Sequence, residues 1–176
     1  EHRYFTEFFR TNIFPILTPL AVDPGHPFPF LSNLSTSLGV TLRAPGREER
    51  LFARVKVPNN LPAWLRSPPV SNAEKSIRYV SLMEVICEHL DLLFPQMTVL
   101  GVMAFRVTRN ADLEREEEDA EDLLEMIEEE LRQRRVAQVV RLEHGPHPDP
   151  WMLGFLKSEL ELSDSDVYEN SEELDY

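Results

Sequence analysis

Apolar positions change their spacing several times along the chain, and each spacing predicts an element. Phe5, Phe8 and Phe9 recur at helical intervals, so a short amphipathic helix is expected over residues 3–12. It ends ahead of Pro15, because the residue before a proline avoids the helical region. From Ile13 to Asn33 the chain is punctuated by Pro15, Pro19, Pro24, Pro27 and Pro29. That stretch must run extended, with its Ile, Leu, Val and Phe side chains laid against a surface. Strict alternation follows. Leu38, Val40 and Leu42, then Leu51, Ala53, Val55 and Val57 beyond loop 44–50, describe a β-hairpin whose second strand turns Phe52, Arg54 and Lys56 to the opposite face. Residues 59–73 read as a Pro-rich connection with one helical turn around Trp64.

The second half alternates strand and helix. Ile77–Val80 is expected as a short strand. Ser81 followed by Glu84 forms a capping box, which opens a helix with Leu82, Val85, Ile86, Leu90 and Leu93 on its buried stripe and Pro95 at its end. Residues 98–108 are apolar on both faces, with Val99, Met103, Phe105 and Val107 on one and Leu100, Val102 and Ala104 on the other. Such a strand is covered on both sides and belongs in the middle of a sheet. Asp112 is expected to cap a long helix running to Arg134, acidic in its early turns and basic at its end, as the helix dipole favours. A strand over 136–142 comes next. Asp149 then caps a helix with Pro150 at its first position and Trp151, Phe155, Leu156 and Leu160 facing inward. Val167–Tyr168 is a short final strand or the start of a link. The order predicts an α/β fold: a three-layer α/β/α sandwich with a mixed sheet, an N-terminal helix and a Pro-rich extended segment.

Composition narrows the classes. At 176 residues, with 42% hydrophobic and 28% charged, the chain can bury one real core and does not read as disordered. We expect one domain over 1–176, with residues 1–34 as helix and Pro-rich connection and 163–176 as an acidic tail or linker. No apolar run approaches the roughly 18 residues that span a bilayer. The first residues lack the basic-then-apolar pattern of an export signal, and the one cysteine, Cys87, excludes an internal disulfide. A cytoplasmic setting without membrane insertion is the expectation. The formal net charge of −13 repels nucleic acid and other polyanions on average. Acid is concentrated in 114–130 and 159–176, however, so a local cationic patch is compatible with that total.

Little in the sequence carries chemistry. Six glycines form neither a dinucleotide fingerprint nor a P-loop. His144, His147 and Asp149 lie in a Pro-rich loop and lack a fourth strong ligand, so no metal site is assigned. His89 sits on or beside the apolar face of its helix and is read as a packed, hydrogen-bonded histidine. Cys87 is read as a small hydrophobe, not a nucleophile. The strongest candidates are Arg106 and Arg109, which run off a central strand toward a helix start and would suit a phosphate chain. Arg54 and Lys56 join them as possible phosphate contacts. The plainer alternative is that Arg106 and Arg109 pair with nearby acid and that Asn110 or Asp112 merely caps the helix.

Several separated motifs resemble one family. The run Ile13-Phe-Pro-Ile-Leu-Thr-Pro-Leu-Ala-Val-Asp-Pro, continuing through His26-Pro-Phe-Pro-Phe-Leu-Ser-Asn33-Leu-Ser, is similar to the start of the middle, or head, domain of polyphosphate kinases. Phe52-Ala-Arg-Val-Lys-Val-Pro58, Phe105-Arg-Val-Thr-Arg-Asn-Ala-Asp112 and Leu131-Arg-Gln-Arg-Arg135 follow in the same order. The resemblance implies a parent enzyme that reversibly transfers the terminal phosphate of ATP to inorganic polyphosphate, with Mg2+, through a phosphohistidine. It implies further that ATP and the metal are bound by domains outside this segment, and that the head domain serves dimerisation and the shaping of a tunnel. No histidine here matches the phosphorylated one, and His26, inside a matching motif, carries no assigned role.

The expected function is therefore a structural and dimerising domain, itself inactive and without a cofactor, of a kinase active as a whole. Its expected partners are the other domains of its chain and a second copy, with polyphosphate possible in the parent and nucleic acid excluded. Phe5, Phe8 and Phe9 are the expected interface residues, and the segment Ile13–Phe30 is expected to share in that docking surface. The alternatives are a stand-alone phosphate- or polyphosphate-binding module around Arg106 and Arg109, or a non-catalytic acidic adaptor.

Overall fold

The computed structural model describes residues 2–22, 25, 27–69, 77–110 and 137–170. The acidic helix expected from Asp112 to Arg134, His26 and the last residues of the tail lie outside the described residues. The chain opens with α1 (His2–Phe8), whose last turns widen into a π-helical segment Phe9–Ile13 and close on a 3-10 turn Phe14–Ile16. Then come β1 (Leu20–Val22), β2 (Ser37–Arg43), β3 (Arg50–Lys56), β4 (Trp64–Arg66), β5 (Tyr79–Ser81), α2 (Leu82–Glu88), α3 (Leu90–Leu93) and β6 (Thr98–Arg109). They are followed by β7 (Val139–His144), α4 (Pro150–Glu159) and β8 (Val167–Glu169).

Six strands form a sheet in the order β1-β3-β2-β6-β7-β8, while β4 and β5 pair separately. The main-sheet neighbours are antiparallel except β7 and β8, which run parallel, so the sheet is mixed. Its period-two alternation feeds two cores. Leu38, Val40, Leu42, Ala53 and Val55 pack on one face with Phe5, Phe9 and Ile13 and with Leu82, Val85, Ile86 and Leu90. Phe52, Met103, Phe105, Val107 and Leu142 pack on the other with Leu31 and with Met152 and Leu156 of α4. The three layers expected from the alternation are present. No helix among the described residues is long and apolar enough to cross a membrane.

The face of β2 beneath α4 carries Ser37, Gly39 and Thr41, and only small side chains fit there. A Cβ on Gly39 would come within 2.5 Å of Met152 Sδ, because α4 lies directly over that strand. Thr41 Oγ1, fully buried, donates to Asp149 Oδ2 at 2.9 Å, and Asp149 Oδ1 accepts from Trp151 N–H at 3.0 Å. One carboxylate thus caps α4 and ties it to the sheet.

Several local expectations need correcting. The segment around Trp64 is strand β4, not a helical turn. Val99 packs with Val102 and Ala104, not with Met103. The pairing steps from Thr41–Gly101 to Leu42–Val99, so Leu100 is an extra, bulged residue that reverses the parity of the strand. The helix opened by the Ser81–Glu84 box, in which Ser81 Oγ accepts from Met83 N–H at 3.2 Å, breaks at His89. The cause is competition: His89 Nδ1–H donates to Val85 O at 2.8 Å and takes the acceptor that its own backbone N–H would use. That N–H turns to Ile86 O instead. In α4 the buried residues are Met152 and Leu156, with Trp151 and Phe155 only partly covered.

Candidate functional site

Residues 27–34 form a strap laid across the α4 face of the sheet near the end of β6. Prolines at 27 and 29 keep it extended, which leaves its carbonyls without ladder partners. Two arginines from different strands supply donors. Arg54, on β3, donates from Nη1 to Phe30 O at 3.4 Å and from Nε to Ser37 Oγ at 3.1 Å. Arg109, at the end of β6, donates from Nε to Leu31 O at 3.0 Å and from Nη1 to Ala137 O, and its guanidinium lies 4.4 Å over the centre of the Phe30 ring. Arg109 N–H donates to Asn33 Oδ1 at 2.8 Å, and Leu34 N–H donates to Val107 O at 2.9 Å. Leu34, at φ 57, takes the left-handed turn that ends the strap.

Arg54 is 6% exposed, and its Nη2 is buried with no acceptor among the described residues. Burial pushes its guanidinium down from the usual value, and does the same to Arg109. Beside the strap is a cleft of about 380 Å³. Phe28, Phe30, Leu31, Val139 and Leu160 line it, together with Gln138, Arg109, Glu159 and Glu161.

Arg106 lies on the other face of the sheet. Its Nε donates to Glu143 Oε2 at 3.0 Å, Arg141 Nη2 donates to Glu143 Oε1 at 3.1 Å, and the Arg141 guanidinium stacks 4.1 Å from the centre of Tyr168. Burial alone would raise the Glu143 carboxyl, but the hydrogen bonds and charges of Arg106 and Arg141 together outweigh it and hold the carboxyl below its ordinary value. Arg106 and Arg109, expected to work as one site, are three residues apart on a strand and so point to opposite faces. The expected pairing of Arg106 with acid is what the structure contains, whereas Arg109 meets carbonyls and a ring.

Lys56 is exposed at the end of β3. Phe5 and Phe9, expected to present an interface, are buried in the chain's own core, because the π-helical widening keeps Phe5, Phe9 and Ile13 on one inward side. Phe8 is half-buried. The exposed large apolar residues of this region are Tyr4, Phe14, Ile16 and Leu20. His89 is buried, stacked on Phe9 at 4.6 Å, with Nε2 3.1 Å from Thr6 Oγ1. Burial, with the charge of Glu84 adding, pushes the Cys87 thiol up to about 11, which keeps it protonated at neutral pH. Among the described residues no three His, Cys, Asp or Glu side chains converge to hold a metal ion.

Sequence reasoning did not single out Glu143, which lay beyond the expected end of its strand at residue 142. Extending the strand's alternation by one residue would have set the face of Glu143, but only the pairing places it opposite Arg106. Glu159 and Glu161 were also missed, since nothing local distinguishes a residue beside a cleft from any exposed one, whereas Phe30 closes the segment expected to dock and is exposed.

The family model described as the polyphosphate kinase middle domain matches residues 1–176. Curated relatives include polyphosphate kinases of Streptomyces coelicolor, 49% identical over 168 residues, and of Synechocystis sp., 47% identical over 175 residues. Each alignment covers 96% of this chain but only 21% and 24% of those relatives. The chain spans about a quarter of the length of these two relatives. The crystal structure of polyphosphate kinase from Porphyromonas gingivalis has a similar fold, with a TM-score of 0.73 at 22% identity, covering 96% of this chain and 23% of that one.

Proposed function

The chain belongs to the polyphosphate kinase family, as its middle domain, and from that premise we propose that it is a structural, dimerising scaffold within a longer phosphotransferase. The parent enzyme transfers the terminal phosphate of ATP to polyphosphate through a phosphohistidine, with ATP and Mg2+ held by domains that this chain does not span. One observation carries the reading: the arginines best suited to phosphate are committed to the fold. Arg54 and Arg109 bind successive carbonyls of the strap, and Arg106 binds Glu143. For Arg54 the whole side chain would have to leave the core to meet a phosphate oxygen, and Arg106 would have to share its charge with Glu143. These contacts hold a Pro-rich segment and the neighbouring strands β6 and β7 in one geometry, as a scaffold requires.

Exposed Tyr4, Phe14, Ile16 and Leu20 support docking at the N-terminal side. Two measurements on the purified chain test the proposal. Incubation with labelled ATP, Mg2+ and polyphosphate should leave neither protein nor polymer labelled, and transfer of label would overturn the scaffold reading. Sedimentation over a wide concentration range should reveal a dimer, and a strict monomer at the highest concentration would remove the dimerising role.

A further inference from the structure

The cleft between the strap and the end of α4 combines apolar lining residues with Glu159 and Glu161 and lies close to the end of a helix. Phe30 is 52% exposed there, with one ring face under the Arg109 guanidinium. Glu159 and Glu161 bring two carboxylates, neither paired with another described side chain, since the neighbouring Lys157 is committed to Asp164. Two of the N–H donors of Arg109 are already given to Leu31 O and Ala137 O. Among the described residues, two acids against one cation leave the cleft net negative, and the C-terminal end of α4 adds its negative pole. A phosphate chain is repelled by that arrangement. A lysine or arginine standing next to an aliphatic or aromatic side chain fits it on both counts: the cation meets the two acids and the apolar side chain covers Phe30 and its neighbours.

Building on the scaffold reading, we propose that this cleft is a docking site for a basic–apolar polypeptide segment from the part of the parent enzyme outside residues 1–176. Charge complementarity selects the chemistry. The source follows from length, because about three-quarters of each long relative lies outside the matched span. Glu161 has φ 56, a left-handed conformation that glycine would adopt without strain at this position just past the helix. Glutamate there places an acidic residue in the lining of the cleft at the expense of local backbone comfort.

The test uses the full-length parent enzyme. Hydrogen–deuterium exchange is read at residues 28–31, 138–140 and 158–162 in the wild type, in Glu159→Lys/Glu161→Lys and in Glu159→Gln/Glu161→Gly. The second variant removes both charges while placing glycine where the backbone favours it, so it remains informative if charge reversal impairs folding. Docking predicts exchange in these segments roughly tenfold faster in both variants, with the rest of the domain unchanged. Carbodiimide cross-linking of the wild type should join Glu159 or Glu161 to a lysine outside residues 1–176. Faster exchange without a cross-link assigns an arginine as the occupant. Unchanged exchange in both variants overturns the proposal, as do cross-links that run only to lysines within residues 1–176 of the same or a second copy. Failure here leaves the scaffold reading standing, whereas phosphotransfer by the isolated chain would sink that reading whatever the cleft binds.

Discussion

Adding one methyl group at Gly39 probes how closely α4 is seated on the sheet. A Cβ built there lies 2.5 Å from Met152 Sδ, 3.1 Å from Phe52 Cε2 and 3.5 Å from Phe105 Cε1. Met152 and Phe52 are at most 1% exposed, so neither can swing into solvent to make room. Overpacking of that kind costs about 1–3 kcal/mol. Replacing glycine by alanine within a regular element returns about 0.5–1 kcal/mol of chain entropy. Gly39→Ala should therefore destabilise by up to about 2.5 kcal/mol, a fall in Tm of up to several degrees for a chain this size. Met152→Ala by itself should cost about 2–5 kcal/mol through the void it leaves. In the double variant the new methyl occupies part of that void, so the combined loss should fall short of the sum by at least about 1 kcal/mol. Urea unfolding followed by fluorescence measures all four corners of the cycle, since Trp151 sits beside the substituted residue. A Gly39→Ala protein as stable as the wild type, with a cycle additive within about 0.5 kcal/mol, would refute the close seating of α4.

Two further outcomes follow from the buried charges. Arg54→Met removes a desolvated, partly unpartnered guanidinium along with two hydrogen bonds, so its stability should stay within about 1 kcal/mol of the wild type, whereas Arg54→Ala also opens a void and should cost about 2–4 kcal/mol. Chemical denaturation compares them, and a Met variant as damaged as the Ala variant would show that the strap depends on the guanidinium itself. The Glu143 carboxyl titrates lower in the folded chain than in the unfolded one, so its stabilisation is present above about pH 4.3 and is lost as pH falls toward the folded value. Glu143→Gln should lower stability at pH 7 and flatten its decline below pH about 4.3, and an unaltered acid limb in a pH series of thermal melts would count against the Arg106–Glu143–Arg141 arrangement.

The fold was legible wherever neighbours in sequence decide the outcome. Alternation in residues 38–42 and 51–57 specified the hairpin, the Ser81–Glu84 box and Asp149–Pro150 marked helix starts, and the doubly apolar run at 98–108 marked the middle of the sheet. Each depends on backbone geometry over two to four residues, and side chains declare that geometry directly. Tertiary structure decided the rest. The bulge at Leu100 reversed the side on which Val99 packs, because β6 had to match β2 along its length. The separation of Arg106 from Arg109 follows from strand alternation, but the partners that engage them do not. Arg109 meets Leu31, which is 78 positions away, and Thr41 meets Asp149, 108 away. Residues 27–34 could be read as extended and in need of a surface, not as a strap held by two guanidinium groups. A main-chain carbonyl is the same at every residue, so a site whose acceptors are carbonyls leaves no mark in the sequence, and only packing brings the arginines to them.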